Sequence, residues 1–139
     1  MPSLRSIVYV STAIEALSIE TLEGLLVDAR EFNKEAGVTG VLLYSKGTFM
    51  QCFEGAEEGV ADVYRRIRES RLHWSIRELM NGPIDKRAFK DWQMGFAEPS
   101  KSDLLTLWTA GWERQLLWSH GWSVPRGMQL LQLFWSRAA

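Results

Sequence analysis

Cysteine and histidine are scarce in this sequence, and their scarcity excludes several kinds of site. The single cysteine, Cys52, rules out an intrachain disulfide and any metal site built from several cysteines. The two histidines, His73 and His120, have no convincing nucleophile partner in the sequence. The glycine-rich phosphate-binding patterns of nucleotide-dependent enzymes are also missing. The sequence therefore lacks the usual catalytic constellations, and we assign no metal ligands.

Long apolar runs and one-sided charge are missing as well. No stretch of 18 apolar residues exists, and the N-terminus lacks a signal-peptide core, so we expect no membrane-spanning helix. The 16 basic and 17 acidic residues leave a net charge of −1, which argues against a nucleic-acid partner. With 139 residues and 46% apolar residues, the chain is predicted to be a single globular unit in the cytoplasm, with no membrane partner.

The stretch from Gly47 to Gly55 is predicted to be a buried strand that is bounded by a glycine at each end. Because strand side chains alternate between faces, Phe49, Gln51 and Phe53 share one face. An unpaired amide in a core costs about 1–3 kcal/mol, so Gln51 needs a hydrogen-bonding partner.

The periodicity of the remaining chain predicts the element order βαββαββ. Two helices on one face of a mainly antiparallel sheet give an α+β sandwich with ferredoxin-like topology. The first helix is expected to begin after an N-cap at Ser18 and to end at Gly37, with Asn33 on its apolar stripe. The predicted strands are 4–10, 38–44, 47–55, 74–80 and 89–96, and the second helix is 56–70.

The C-terminal segment is rich in tryptophan and is predicted to cover the other face of the sheet. One predicted helix contains Leu104, Leu105, Trp108, Trp112 and Leu116, and another follows Pro125. The expected division is an α+β sandwich at 1–98 and a helical cap at 99–139 that packs on it.

Four polar or aromatic side chains lie inside otherwise apolar elements: Tyr9, Asn33, Gln51 and Trp92. Taken singly, each has an ordinary explanation as a core residue. Together, two amides and a phenol suit a flat heterocycle with alternating donors and acceptors.

The chain resembles the BLUF family, blue-light sensors that bind flavin adenine dinucleotide. The resemblance covers residues 4–96 and rests on four motifs: Tyr-Val-Ser at 9–11, Gly-Val-Thr-Gly at 37–40 behind Asn33, Phe-Met-Gln-Cys-Phe-Glu-Gly at 49–55 and Trp-Gln-Met at 92–94. It implies the same ferredoxin-like sandwich and a short, stand-alone member of the family.

The resemblance also implies a cofactor site. Asn33 would bond the carbonyl and imide edge of the ring, and Gln51 would bridge the ring to the Tyr9 hydroxyl. Arg66 is similar to the basic residue that helps to hold the polar tail of FAD. The ring would contact Leu25, Phe32 and Ile67, and FMN or riboflavin would also be accepted.

The implied photochemistry uses Tyr9 as the donor of an electron and a proton to the excited flavin. Gln51 would then rotate or change tautomer, and its new hydrogen bond would shift the absorption to the red. Trp92 and Met94, expected on one face of the last strand, would relay this change to the tail.

Some residues depart from the family pattern, namely Gln93, Ser70, Leu72 and Phe32. The signal is expected to reach an unidentified downstream protein or to change a homo-oligomer. Two other functions stay open: a flavin-dependent redox enzyme, and a ferredoxin-like interaction module without photochemistry.

Overall fold

The computed structural model describes residues 3–15, 17–117 and 121–138, with the side chain of Ala138 left out. Trp118 and His120, which belong to the tail considered above, lie outside the described residues. Within the described residues, no helix has the length and apolar character needed to span a bilayer.

The first seven elements follow the predicted βαββαββ order. They are β1 (Leu4–Ala13), α1 (Ile19–Ala36), β2 (Thr39–Ser45), β3 (Thr48–Ala56), α2 (Glu57–Glu69), β4 (His73–Ile84) and β5 (Gly95–Ala97). Their strands form one sheet in the order β4-β1-β3-β2-β5. The first four strands pair antiparallel in the ferredoxin-like order, and β5 adds parallel to β2.

The register of β1 against β3 places Tyr9 directly opposite Gln51. Cross-strand neighbours share a face, so both side chains point into the core between the sheet and α1 and α2. Phe49 and Phe53 lie in the same core, as the alternation predicts.

Helix α1 has the predicted ends. The Ser18 side chain accepts from the backbone N–H of Thr21, and Gly37 closes the helix in the left-handed conformation at φ 69°. Leu22, Leu26 and Asn33 are its buried residues, so the amide predicted on the apolar stripe does face the core.

The fifth strand is much shorter than predicted. Instead of a strand over 89–96, residues 85–94 form bends and a turn, and only Gly95–Ala97 is extended. The Trp92 N–H donates to the Phe89 carbonyl, and the Trp92 carbonyl accepts from Gly40. Because this backbone is not extended, strand alternation does not apply, and the expectation that Trp92 and Met94 share one face is wrong.

The tail packs on the other face of the sheet. It forms α3 (Lys101–Thr109), a two-stranded antiparallel sheet of β6 (Leu116–Leu117) and β7 (Gly121–Trp122), and α4 (Arg126–Ala138). The prediction that this helix continues to Leu116 is wrong. The helix ends at Thr109, because the backbone of Ala110 is extended. The second core contains these residues: Val8, Val10, Val41, Leu43, Met50, Leu104, Leu107, Trp112, Met128, Leu131 and Trp135.

Candidate functional site

A cavity of about 180 Å³ lies between α1, α2 and the sheet. Its walls are mostly apolar, and its mouth opens beside the exposed residues Asp28, Arg66 and Leu72. All but one of the side chains predicted to bind the cofactor or to switch line this cavity: Tyr9, Leu25, Phe32, Asn33, Gln51, Arg66, Ile67 and Met94. The exception is Trp92.

A chain of hydrogen bonds runs through the cavity wall from Tyr9 to Met94. The Tyr9 hydroxyl donates to Gln51 Oε1, and Gln51 Nε2 donates to Met94 Sδ at 3.4 Å. Both groups of the Gln51 amide therefore have partners, and the predicted partner Tyr9 is one of them. Sulfur is a weak acceptor, so the bond to Met94 is the weaker link of the chain.

Burial keeps the Tyr9 phenol protonated. Only 3% of Tyr9 is exposed. Loss of solvation, followed by the nearby Tyr64, raises the pKa of Tyr9 well above its ordinary value. Tyr9 therefore remains a hydrogen-bond donor to Gln51 at neutral pH.

Asn33 ties α1 to the segment before β5. Its Nδ2 donates to the Gln93 carbonyl at 3.0 Å, and Arg30 Nε donates to the Met94 carbonyl at 3.0 Å. An amide has two donor hydrogens and two acceptor lone pairs, so the bond to Gln93 uses one of its four bonding positions. The remaining positions suit a polar ring edge.

Arg66 stands at the mouth of the cavity. Its guanidinium lies over the Phe32 ring, 4.6 Å from the centroid. This stacking holds a cation beside an apolar wall, where it can meet an anionic group that extends from the cavity.

His73 is a cavity residue to which the sequence interpretation gave no role. Its Nε2 lies 2.9 Å from the Ile67 carbonyl and its Nδ1 lies 2.7 Å from Ser11 Oγ. A carbonyl only accepts, so Nε2 carries the hydrogen, and the ring joins α2 to β1. No local pattern predicts this bridge, because Ser11 lies far away in the sequence.

Other cavity residues missed by the sequence interpretation lie on the same helix faces as predicted ones. Asp28 and Ala29 line the cavity between Leu25 and Phe32. Their spacing of three and four residues from Leu25 could have identified them. Three of the four departures from the family pattern line the cavity, namely Phe32, Ser70 and Leu72.

Trp92 lies on the other side of the sheet. It is 41% exposed and packs edge to face on Trp135 of α4, with 5.2 Å between ring centroids. Met94, only 1% exposed, lies in the cavity-side core. Two residues apart in the chain, these side chains belong to opposite layers.

Comparison with known proteins identifies this arrangement. Residues 4–95 match the model of the BLUF family, described as sensors of blue-light using FAD. The chain belongs to the BLUF family.

Similar BLUF proteins include both short and long chains. The structure of BlrB, a BLUF protein, is 30% identical with a TM-score of 0.67, covering 77% of this chain and 80% of BlrB. The photo-activated state of BlsA is 26% identical with a TM-score of 0.70, covering 97% of this chain and 94% of BlsA.

Curated BLUF relatives are much longer than this chain. The blue light- and temperature-regulated antirepressor BluF of Escherichia coli is 32% identical over 86 residues, which are 62% of this chain and 21% of BluF. The photoactivated adenylate cyclase subunit beta of Euglena longa is 30% identical over 87 residues, which are 63% of this chain and 10% of that protein.

The cavity residues fit the flavin that BLUF proteins bind. The mostly apolar walls suit a flat aromatic ring, and Asn33 and Gln51 place two amides in the cavity wall. Both amides are buried, with exposures of 2% and 6%.

Proposed function

We propose that this chain is a blue-light receptor that binds FAD in the α1–α2 cavity and signals by rearranging the hydrogen bonds of Gln51. The observation that carries this proposal is the Tyr9–Gln51–Met94 chain in the wall of that cavity. This chain joins a phenol and a flexible thioether through an amide whose donor and acceptor ends can exchange places.

Each cavity group has a proposed part in holding the cofactor. Asn33 and Gln51 bond the polar edge of the ring, and Leu25, Phe32 and Ile67 pack on it. Arg66 pairs with the phosphates of FAD, for which its position at the mouth over Phe32 is suitable. Without the phosphate contact the ring site would still accept FMN or riboflavin, with weaker binding.

The bound flavin supplies blue-light absorption and, when excited, a one-electron acceptor. Tyr9 is the proposed donor, since its phenol is buried, protonated and bonded to Gln51. As Tyr9 loses an electron its O–H becomes strongly acidic, and Gln51 Oε1 is the acceptor already in place for that proton. When Tyr9 recovers its electron and proton, Tyr9 and the flavin return to their starting covalent states.

The lasting change is proposed to be in Gln51. Turning its amide by half a turn, or changing its tautomer, exchanges the donor and acceptor positions presented to Tyr9 and Met94. Each bond exchanged is worth about 1 kcal/mol net, so the change can bias a two-state element but cannot by itself drive a large motion.

The output is proposed to leave through the segment 92–95. Met94 bonds Gln51, while Gly95 and Trp92 contact the Trp135 ring of α4 on the opposite face. A shift of Met94 therefore moves backbone that supports α4. We assign 1–98 as the sensor and 99–139 as the output segment, which acts on a separate signalling protein or on a second copy of the chain.

Absorption spectroscopy tests this proposal. The purified protein should carry a flavin spectrum that shifts reversibly to the red under blue light without bleaching, and extraction of the cofactor should yield FAD. Folded, fully loaded protein without a shift would overturn the proposal and favour a flavin-dependent redox enzyme. Folded protein that cannot be reconstituted with flavin would favour an interaction module.

A further inference from the structure

A second tyrosine lies against Tyr9 in the core. Tyr64 of α2 is 7% exposed, and its ring stacks on that of Tyr9 with 6.5 Å between centroids and 26° between planes. Aromatic rings at this separation are in direct contact. Electron exchange between the two phenols therefore needs no intervening group.

The two phenols have very different proton acceptors. Tyr9 donates to the amide oxygen of Gln51, whereas Tyr64 donates to the carboxylate of Glu78 at 2.5 Å. A carboxylate is a far stronger base than an amide oxygen, and a short hydrogen bond to it is charge-assisted. Tyr64 can therefore release its proton more readily than Tyr9 when it is oxidised.

We propose that Tyr64 is a second redox-active tyrosine, which removes an electron hole from Tyr9 by giving its electron to Tyr9 and its proton to Glu78. The inference rests on the proposed function only for the origin of that hole. Electron transfer from Tyr64 would then compete with proton transfer from Tyr9 to Gln51, because Tyr9 no longer releases its proton once it has been reduced again.

The step balances in charge and atoms. Tyr9, oxidised by one electron and still holding its proton, takes one electron from Tyr64. The O–H bond of Tyr64 breaks and a new O–H bond forms on Glu78 Oε2. The products are neutral Tyr9, a neutral Tyr64 phenoxyl radical and protonated Glu78. When the electron returns to Tyr64, Glu78 gives back the proton.

Neighbouring groups are compatible with this role. Burial, followed by Glu78, raises the pKa of Tyr64, so the phenol keeps its proton until it is oxidised. Arg68 lies over the Tyr64 ring at 4.4 Å and opposes positive charge there. Because the proton leaves with the electron, the Tyr64 ring ends neutral and Arg68 opposes the step little.

The first test uses the flavin-free protein, so it does not depend on photoreception. One-electron oxidation by a dissolved photo-oxidised ruthenium complex, followed by freezing, places a radical that electron paramagnetic resonance can assign. The chain has three tyrosines. Tyr64→Phe should remove most of the tyrosyl signal, and Tyr44→Phe should leave it unchanged. An unchanged signal in Tyr64→Phe that disappears in Tyr9→Phe would overturn the inference.

The second test uses the flavin-loaded protein. Tyr64→Phe and Glu78→Gln should each raise the quantum yield of the red-shifted state, and the double variant should gain no more than either. Unchanged quantum yields in both variants would overturn the proposed competition from electron transfer by Tyr64. Wild-type protein that is loaded and shows no shift would overturn the proposed function instead, and the radical experiment would still decide the role of Tyr64.

Discussion

At the residue scale, buried polar groups in the core between the sheet and helices α1 and α2 form hydrogen bonds between different elements. Tyr9 and Gln51 belong to neighbouring strands, while Asn33 reaches from α1 to the Gln93 carbonyl. Pairing is required because an unsatisfied buried group is destabilising. It also means that changing one member alters the partners of the others.

Gln51→Leu tests the amide switch. The variant should retain bound flavin and lose the reversible red shift, because leucine cannot exchange donor and acceptor positions. It should also lower the free energy of unfolding by about 1–3 kcal/mol, since the Tyr9 hydroxyl loses its acceptor. Absorption difference spectra and urea denaturation measure both effects.

Gln93→Leu is the matched control for that variant, because the Gln93 side chain is exposed and Asn33 contacts only its backbone carbonyl. It should leave the red shift intact. A normal photocycle in Gln51→Leu would contradict the mechanism.

Glu54 gives a prediction about pH. The residue is 1% exposed, and its carboxyl accepts from the Phe89 N–H at 2.5 Å. Burial raises its pKa above the ordinary value of 4.5, although bonds from Phe89 and Ala88 and the charge of Arg87 act in the opposite direction. The folded state therefore holds this proton more tightly than the unfolded state.

The contribution of Glu54 to stability is thus full below pH 4.5 and falls as the pH rises through its raised pKa. Glu54→Gln should lack that fall, so its unfolding free energy relative to wild type should increase with pH, by at most about 1.4 kcal/mol per pH unit. Urea titrations from acid to neutral pH measure this. Parallel curves for the two proteins would contradict it.

At the element scale, the segment between β4 and β5 connects the two layers. Its Phe89 side chain lies in the tail-side core, while Met94 lies in the cavity-side core. Gly95 allows the Trp135 ring to approach, since a Cβ there would lie 2.4 Å from a ring carbon. This segment links the cavity to α4 by direct contacts, from Met94 at Gln51 to Gly95 and Trp92 at Trp135.

Trp92→Ala should weaken the contact between this segment and Trp135 of α4. The variant loses an aromatic pair worth about 0.5–1.5 kcal/mol, and we expect dark recovery to become about two- to tenfold faster because Met94 is held less firmly. Recovery of the absorption spectrum in darkness measures the change. Trp74→Ala is the control, since Trp74 is a 61% exposed tryptophan on β4; equal recovery in both variants would argue against the relay.

At the scale of the whole molecule, the tail completes the fold. Val8, Val41, Leu43 and Met50 on the sheet would face solvent without α3 and α4. The tail is therefore a structural layer, and a signal proposed to pass through it must avoid uncovering this apolar face.

Leu131→Ala tests the structural part of the tail. Leu131 of α4 is fully buried, at 0% exposure, so the variant should lose about 2–5 kcal/mol of unfolding free energy. Leu133→Ala, on the same helix at 48% exposure, should be nearly neutral. Denaturant unfolding compares the two, and similar stabilities would mean that the tail does not share the core.

The sequence by itself determined the order of the first seven elements, the faces of β3 and the ends of α1. Those features follow from local periodicity, capping and glycine placement, which act over a few residues. The resemblance to the BLUF family, and not periodicity, indicated Leu25, Phe32, Arg66 and Ile67, which do line the cavity. The pairing of Gln51 was also predictable, because a buried amide requires a partner.

Only the tertiary structure decided the layer to which Trp92 belongs, the His73 bridge and the end of α3 at Thr109. The backbone of 85–94 forms neither a helix nor a strand, so spacing cannot assign its faces. Contacts distant in sequence fix it instead: Gly40 with the Trp92 carbonyl, Asn33 with Gln93, and Trp135 over Gly95.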